Sequence, residues 1–285
     1  MTHSAKFKIL ILGAQGMLGT DLAHVLVGPA QLFLWDKDEL DVTRERLVNE
    51  KIVNLAPAII INATGYTDVD GAEDNREMAF KVNAEAVNYL VLAAAEVKAK
   101  FVHFSTEYVF DGLKQAGYDE SAEPNPLNMY GQSKAAGEKF VTSYARGYLV
   151  RTSWLYGHTP QQGKPRGLNF IDTVLKLAAA QAEVRVVNDQ YGQPTATQDL
   201  ALAVDKLVLG DYAPGIYHLV NEGVTTWYEV TREVFKIKGI TTPLVPISSS
   251  GYPTKAKRPQ YGVLLNTKLP KLRPWPRALS DYLTL

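Results

Sequence analysis

Residues 8–19 read Lys8-Ile9-Leu10-Ile11-Leu12-Gly13-Ala14-Gln15-Gly16-Met17-Leu18-Gly19. An apolar run that stops at a glycine predicts a strand buried on both faces, the signature of a parallel sheet. Leu22, Val25 and Leu26 then recur at helical spacing. Gly13, Gly16 and Gly19 lie between the two, spaced G-x-x-G-x-x-G, one residue off the dinucleotide fingerprint G-x-G-x-x-G. Glycines here permit a tight turn, a close backbone approach to a pyrophosphate and close helix–strand packing. The helix N-terminus adds positive potential. Asp36 closes the next strand pattern, about 20 residues on, where a carboxylate accepts from ribose hydroxyls. Lys37 beside it suits a 2′-phosphate instead, so NADH and NADPH both stay open.

Outward from this turn, strand patterns at 31–35, 58–62, 101–105 and 148–152 alternate with helical ones, including 78–98 and 129–145. Strict alternation predicts an α/β fold, a Rossmann-type doubly wound parallel sheet with ligands outside the carboxyl ends of its strands. After residue 153 the rhythm loosens. Residues 157–167, rich in Gly, Pro, Gln and Lys, predict a mobile loop. A helix over 169–180 and a strand over 184–187 read as returns to the sheet, and 198–209 and 226–237 as further amphipathic helices. The Pro-punctuated stretch 243–276 reads as irregular. The expected division is a NAD(P)-binding domain over 1–153, its sheet completed by about 168–209. Residues 154–167 and 210–285 then form a smaller C-terminal substrate-binding lobe.

Composition sets bounds. Of 285 residues 46% are hydrophobic and 21% charged, with 30 Lys+Arg against 30 Asp+Glu. That balance gives no footprint for nucleic acid. Absence of cysteine removes disulfides, thiolate metal sites and a cysteine nucleophile. The first six residues run straight into a strand, leaving no room for a signal segment, and no apolar stretch is long enough for a bilayer. A cytoplasmic protein free of membrane is expected.

The chemistry centres on Tyr130-Gly131-Gln132-Ser133-Lys134. On a helix, residues four apart share a face, so the Tyr130 phenol and the Lys134 ammonium enter one space. A free phenol titrates near ~10; a neighbouring ammonium favours its anion and yields an acid/base group suited to carbonyl–alcohol chemistry. Thr106, at the end of the fourth strand, adds a hydroxyl facing the same cleft. Ala63, Gly65, Tyr66 and Thr67 follow the third strand, where small residues let a cofactor cross the sheet edge. Asp41-Val42 is either an adenine contact or a helix cap. Asp70 and Glu73 suggest a metal less than they suggest N-terminal helix charges.

These residues resemble the extended short-chain dehydrogenase/reductases, and within them the dTDP-4-dehydrorhamnose reductase family. The resemblance rests on the glycine turn, on Ser105-Thr106 before Tyr108-Val109-Phe110-Asp111-Gly112, and on Tyr130/Lys134. It extends to 62–73, 151–156, 188–195, 215–219 and Arg258-Pro259. It implies that Gly16, Met17 and Leu18 lie along the pyrophosphate of NADPH or NADH, Asp36, Asp41 and Val42 near the adenosine, and Gly65, Tyr66 and Thr67 near the nicotinamide half. Tyr130 becomes the proton donor, Thr106 its tuner and Lys134 the partner that also holds the cofactor. Thr106, Glu107, Tyr108 and Trp154 face the dTDP-sugar. Asn188 and Gln190 offer polar contacts, and Arg258 a fork for the diphosphate. The chain departs from the pattern in three places. Glu107 stands where the family usually carries Asp, and Gln260-Tyr261-Gly262 replaces a small polar pair. Where some members bind magnesium at a dimer interface, this chain has Asp21 and Gln198, one charge short. A monomer or weak homodimer with no metal is expected.

Overall fold

Along the first strand, β1 (Lys8–Leu12), successive side chains feed two different cores. Ile9 and Ile11 enter one, Leu10 and Leu12 the other. Period-2 alternation with both faces apolar is what a strand covered on each side requires. The chain, described in a computed structural model over residues 7–28, 30–162 and 167–284, repeats this logic. β1 leads to α1 (Met17–Val25), β2 (Gln31–Trp35), α2 (Glu45–Leu55) and β3 (Ile59–Asn62). Two short helices, α3 (Gly71–Asp74) and α4 (Arg76–Phe80), precede α5 (Ala86–Glu96) and β4 (Lys100–Thr106); α6 (Met129–Ser143) and β5 (Gly147–Thr152) follow.

Then come β6 (Leu155–Tyr156), α7 (Phe170–Ala180), β7 (Val184–Val187), β8 (Tyr191–Gly192), β9 (Thr195–Ala196), α8 (Thr197–Leu209) and β10 (Gly215–His218). The chain ends through β11 (Thr225–Thr226), α9 (Trp227–Lys238), β12 (Leu244–Ile247) and α10 (Trp275–Thr284). The main sheet is parallel throughout, ordered β10-β5-β4-β3-β1-β2. Strand order reverses between β1 and β3, which opens a crevice at their carboxyl ends. Helices α1 and α8 cover one face, and α2, α5 and α6 the other.

The main sheet does not take its last strand from the expected span. Val184–Val187 pairs with β12 rather than β5, and the sixth strand is β10, from the stretch assigned to the lobe. Helix α7 likewise buries Ile171, Val174 and Ala178 against α9 and α10 in a separate core. Of 168–209, α8 alone packs on the sheet. The physical reason is that periodicity reveals a buried face, not its partner. Strand β10 was hidden because its buried pair, Tyr217 and His218, is polar-tipped. Helix α10 ends the irregular tail. Of the expected loop 157–167, residues 163–166 lie outside the described residues, as do the first six.

Candidate active site

The glycine turn abuts the end of β3. A β-carbon on Gly13, whose φ is +72°, would stand 3.0 Å from the Ala63 carbonyl carbon, and one on Gly19 only 2.0 Å from Gly13 O. Side chains at either place would push the turn off the sheet. Gly16 caps α1 without a side-chain hydrogen bond, and the first turn carries no acidic residue, so Met17 and Leu18 open a helix whose positive end is uncompensated. Asp36 Oδ2 accepts from Gln15 N at 3.0 Å, tying the end of β2 to this turn. Asp41 instead accepts from Thr43 N and Oγ1 (3.0 and 2.7 Å), which holds its carboxyl below the usual range, and Val42 is buried in the core. Asp41 thus closes a local turn over Thr43 ahead of α2, whose N-cap is Arg44 and carries no side-chain cap bond.

Across the crevice, Asn83 holds the loop after β3. Its amide accepts from Tyr66 N (2.9 Å), donates to Tyr66 O (3.0 Å) and donates to Ser133 Oγ of α6 (2.9 Å). Asn83 belongs to a π-turn, Lys81–Glu85, that interrupts the expected helix over 78–98. Such insertions turn one side chain out of register, and they gather at functional sites. Gly65 lies in the same loop; its absent β-carbon would stand 3.9 Å from Lys134 Nζ and from the Thr67 methyl.

Helix α6 begins where Asn128 accepts from Gly131 N (2.8 Å) and Glu73 from Met129 N (2.9 Å). Glu73 thus acts as a charge at a helix N-terminus. Gly131 lets α6 approach the 3-10 turn Glu107–Val109, since a β-carbon there would be 2.2 Å from Tyr108 O. That approach brings Tyr130 to Thr106. Burial pushes the Tyr130 phenol up, Glu107 adds to the rise, and a hydrogen bond with Thr106 pulls it back. Tyr108 meets the phenol edge-to-face at 5.6 Å. Lys134, one helical turn on, is 5% exposed and donates to Phe104 O at 2.6 Å. Burial pushes its ammonium down to about 8, against the pull of Glu138.

On the substrate side, Thr106 Oγ1 donates to Glu107 Oε2 at 2.7 Å. Burial raises Glu107 to about 7, against hydrogen bonds from Thr106 and the Trp154 indole. Trp154 is stacked on Trp227 at 3.5 Å and 12°, with Gly192 against its ring; packing therefore occupies one of its faces. Arg258 gives its fork to Asp70 (3.1 and 2.7 Å), and Tyr108 is also within hydrogen-bonding reach of the guanidinium. Asp70 is thus an ion-pair partner. Asn188 is exposed and Gln190 half-buried, while Asp189 between them accepts from Ser249 N and Oγ and anchors the segment to the tail. Gly262 packs on Glu107. A cavity of roughly 280 Å³ lies elsewhere, bordered by Asp21, Gln198, Arg273 and Tyr282. Among the described residues no group of three or more His, Asp or Glu side chains is arranged to hold a metal ion.

Sequence reasoning passed over Asn83, Asn62 and His103. The one available signal was a polar residue interrupting a buried strand, His103 within Phe101-Val102-His103-Phe104.

The RmlD substrate binding domain family matches residues 7–285. A dTDP-4-dehydrorhamnose reductase from Escherichia coli is 36% identical over 275 residues, spanning 91% of this chain and 89% of its own. A dTDP-4-keto-6-deoxy-D-glucose reductase from Streptomyces niveus is 35% identical, spanning 97% and 96%. The crystal structure of dTDP-4-dehydrorhamnose reductase from Bacillus anthracis in complex with NADP superimposes with a TM-score of 0.91 at 34% identity, covering 97% of this chain and 98% of that one.

Proposed function

The chain belongs to the RmlD substrate binding domain family, and from that premise we propose that it is an NAD(P)H-dependent reductase acting on a dTDP-sugar ketone. The substrate is dTDP-4-dehydro-6-deoxy-L-mannose (dTDP-4-dehydrorhamnose), and the product dTDP-L-rhamnose. One observation carries the reading: Thr106 and the Tyr130 phenol come together one helical turn from Lys134, beside the glycine turn and the loop after β3.

The cradle fits a dinucleotide. Glycines stand where a β-carbon would clash, the end of α1 is uncompensated, and the Asp36 carboxylate lies against the turn. A nicotinamide bound there supplies the hydride. The chain's own residues move the proton and fix the geometry. Tyr130 donates its phenolic proton to the C4 oxygen as negative charge gathers on it. Its raised affinity for that proton keeps the donor loaded at neutral pH. Thr106 orients the phenol and the ketone oxygen, and the Lys134 ammonium steadies the phenolate left behind. Proton donation of this kind is worth ~10²–10⁴-fold, and positioning supplies much of the remainder.

Incubation with NADPH or NADH and dTDP-4-dehydrorhamnose, with the product identified by NMR, tests the proposal. Cofactor oxidation yielding dTDP-L-rhamnose supports it. The similarity, at 35% identity, to a dTDP-4-keto-6-deoxy-D-glucose reductase favours a second substrate, the dTDP-4-keto-6-deoxy-D-glucose isomer; oxidation with that isomer alone would move the assignment there. Tight cofactor binding without turnover of either sugar points instead to a regulatory subunit. We further read the protein as cytoplasmic and as a monomer or weak homodimer needing neither nucleic acid nor membrane. No described helix is long and apolar enough to cross a bilayer, and sedimentation at micromolar concentration checks the assembly.

A further inference from the structure

His103 faces Lys134 from β4, with Nε2 3.3 Å from Nζ, and its other ring nitrogen lies 3.1 Å from Asn62 Nδ2. The orientation of the Asn62 amide is fixed independently. Its Oδ1 accepts from the backbone N–H of Thr64 (3.1 Å) and from Thr64 Oγ1 (2.6 Å), and a backbone N–H can only donate. The NH₂ end therefore points at His103 and donates to Nδ1. A neutral imidazole carries one proton, so with Nδ1 accepting, the proton sits on Nε2. That N–H is aimed at Lys134. An ammonium there would set donor against donor, whereas a neutral amine offers a lone pair to accept it. Lys134 donates to Phe104 O at 2.6 Å in either form. His103 is 1% exposed and Asn62 1%, so water does not relieve the conflict.

We infer that Asn62 and His103 are positioning residues that lock the imidazole in its Nε2–H tautomer and thereby favour the neutral amine of Lys134, setting the pH above which the reductase loses its ammonium. The inference rests on the reductase reading only for its kinetic test. The other groups facing Lys134 do not supply this effect. Glu138, on the same helix, is attractive to the ammonium and is itself held by Arg151 of β5 at 2.7 Å. Tyr130 is a neutral phenol on the same helix face, and Gly65 presents no charge from the loop after β3. Burial of both His103 and Lys134 acts in the same direction as the lock, and the Asn62 backbone, which favours a charged imidazole, is the smaller, opposing influence on His103.

The direct test is ¹⁵N NMR of histidine-labelled protein, with His103 assigned by loss of its signal in His103→Gln. Protonated Nε2 and bare Nδ1 between pH 6 and 9 are expected; an Nδ1–H tautomer overturns the inference, whatever the enzyme turns over. The second test is the alkaline limb of kcat and of NADPH affinity in Asn62→Asp. A carboxylate at 62 still accepts from Thr64 but now accepts from an Nδ1–H, which selects the other tautomer and turns the Nε2 lone pair toward Lys134. The limb is expected to rise by at least one pH unit, with kcat at pH 7 within threefold. An unmoved limb in a folded variant overturns the inference. Absence of turnover in the wild type would sink the reductase reading alone, because the tautomer and the pH dependence of NADPH binding remain readable.

Discussion

Glu107 and Gly262 fill one space: a β-carbon on Gly262 would stand 2.8 Å from Glu107 Cγ. Gly262→Ala alone is therefore expected to destabilise by about 1–3 kcal/mol through overpacking. In a Glu107→Ala background, which has no γ-carbon, the same change should cost far less. Urea melts of the four proteins measure the coupling, which should exceed about 0.5 kcal/mol.

Glu107 also sets a pH window. Its carboxyl titrates near 4.5 in the unfolded chain and near 7 when buried. Below pH 4.5 it is protonated in both states and contributes no penalty. Between 4.5 and 7 the unfolded chain releases this proton first, so stability falls as pH rises and levels off above about 7. The integrated loss is at most about 3 kcal/mol. Glu107→Gln removes this slope, and melts at pH 5 and pH 8 should differ less than in the wild type. Activity follows the same group. Protonated Glu107 donates to Thr106 and frees the threonine proton for the ketone, whereas the carboxylate takes that proton. Turnover by the Gln variant should lose the limb near pH 7.

Gly19→Ala tests the cradle. Its methyl would meet Gly13 O at 2.0 Å, so the turn must open. Fluorescence titration should show NADPH binding weakened at least about tenfold, or 1.4 kcal/mol, with far-UV circular dichroism unchanged.

The sheet was largely legible because buried parallel strands write their own signature: β1 and β3 fall on their apolar runs and are buried. The crevice followed from Gly13 and Asp36, whose residue types answer to local geometry. What the sequence concealed depends on contacts distant along the chain. Asn83 becomes a clamp only because a π-turn rotates it toward Tyr66, and Arg258 meets Asp70 from 188 residues away. Nothing in either residue's neighbourhood announces its partner. His103 is buried in β4, yet its ring nitrogens face Asn62 and Lys134.

Arg151 and Glu138 join β5 to α6, 1% and 4% exposed, at 2.7 Å. Removing one charge strands the other in the interior. Glu138→Ala should cost about 3–5 kcal/mol, whereas a double change to well-packed Met and Leu should recover most of it. Chemical denaturation of the three proteins measures both.

The measurement closest to the central claim is single-turnover reduction of dTDP-4-dehydrorhamnose by Tyr130→Phe at saturating NADPH, with cofactor affinity titrated in parallel. The phenyl ring keeps the packing against Tyr108 but holds no proton for the C4 oxygen. A rate ~10²–10⁴-fold below wild type is predicted, with NADPH binding within threefold. A rate within tenfold of wild type would contradict proton donation by Tyr130.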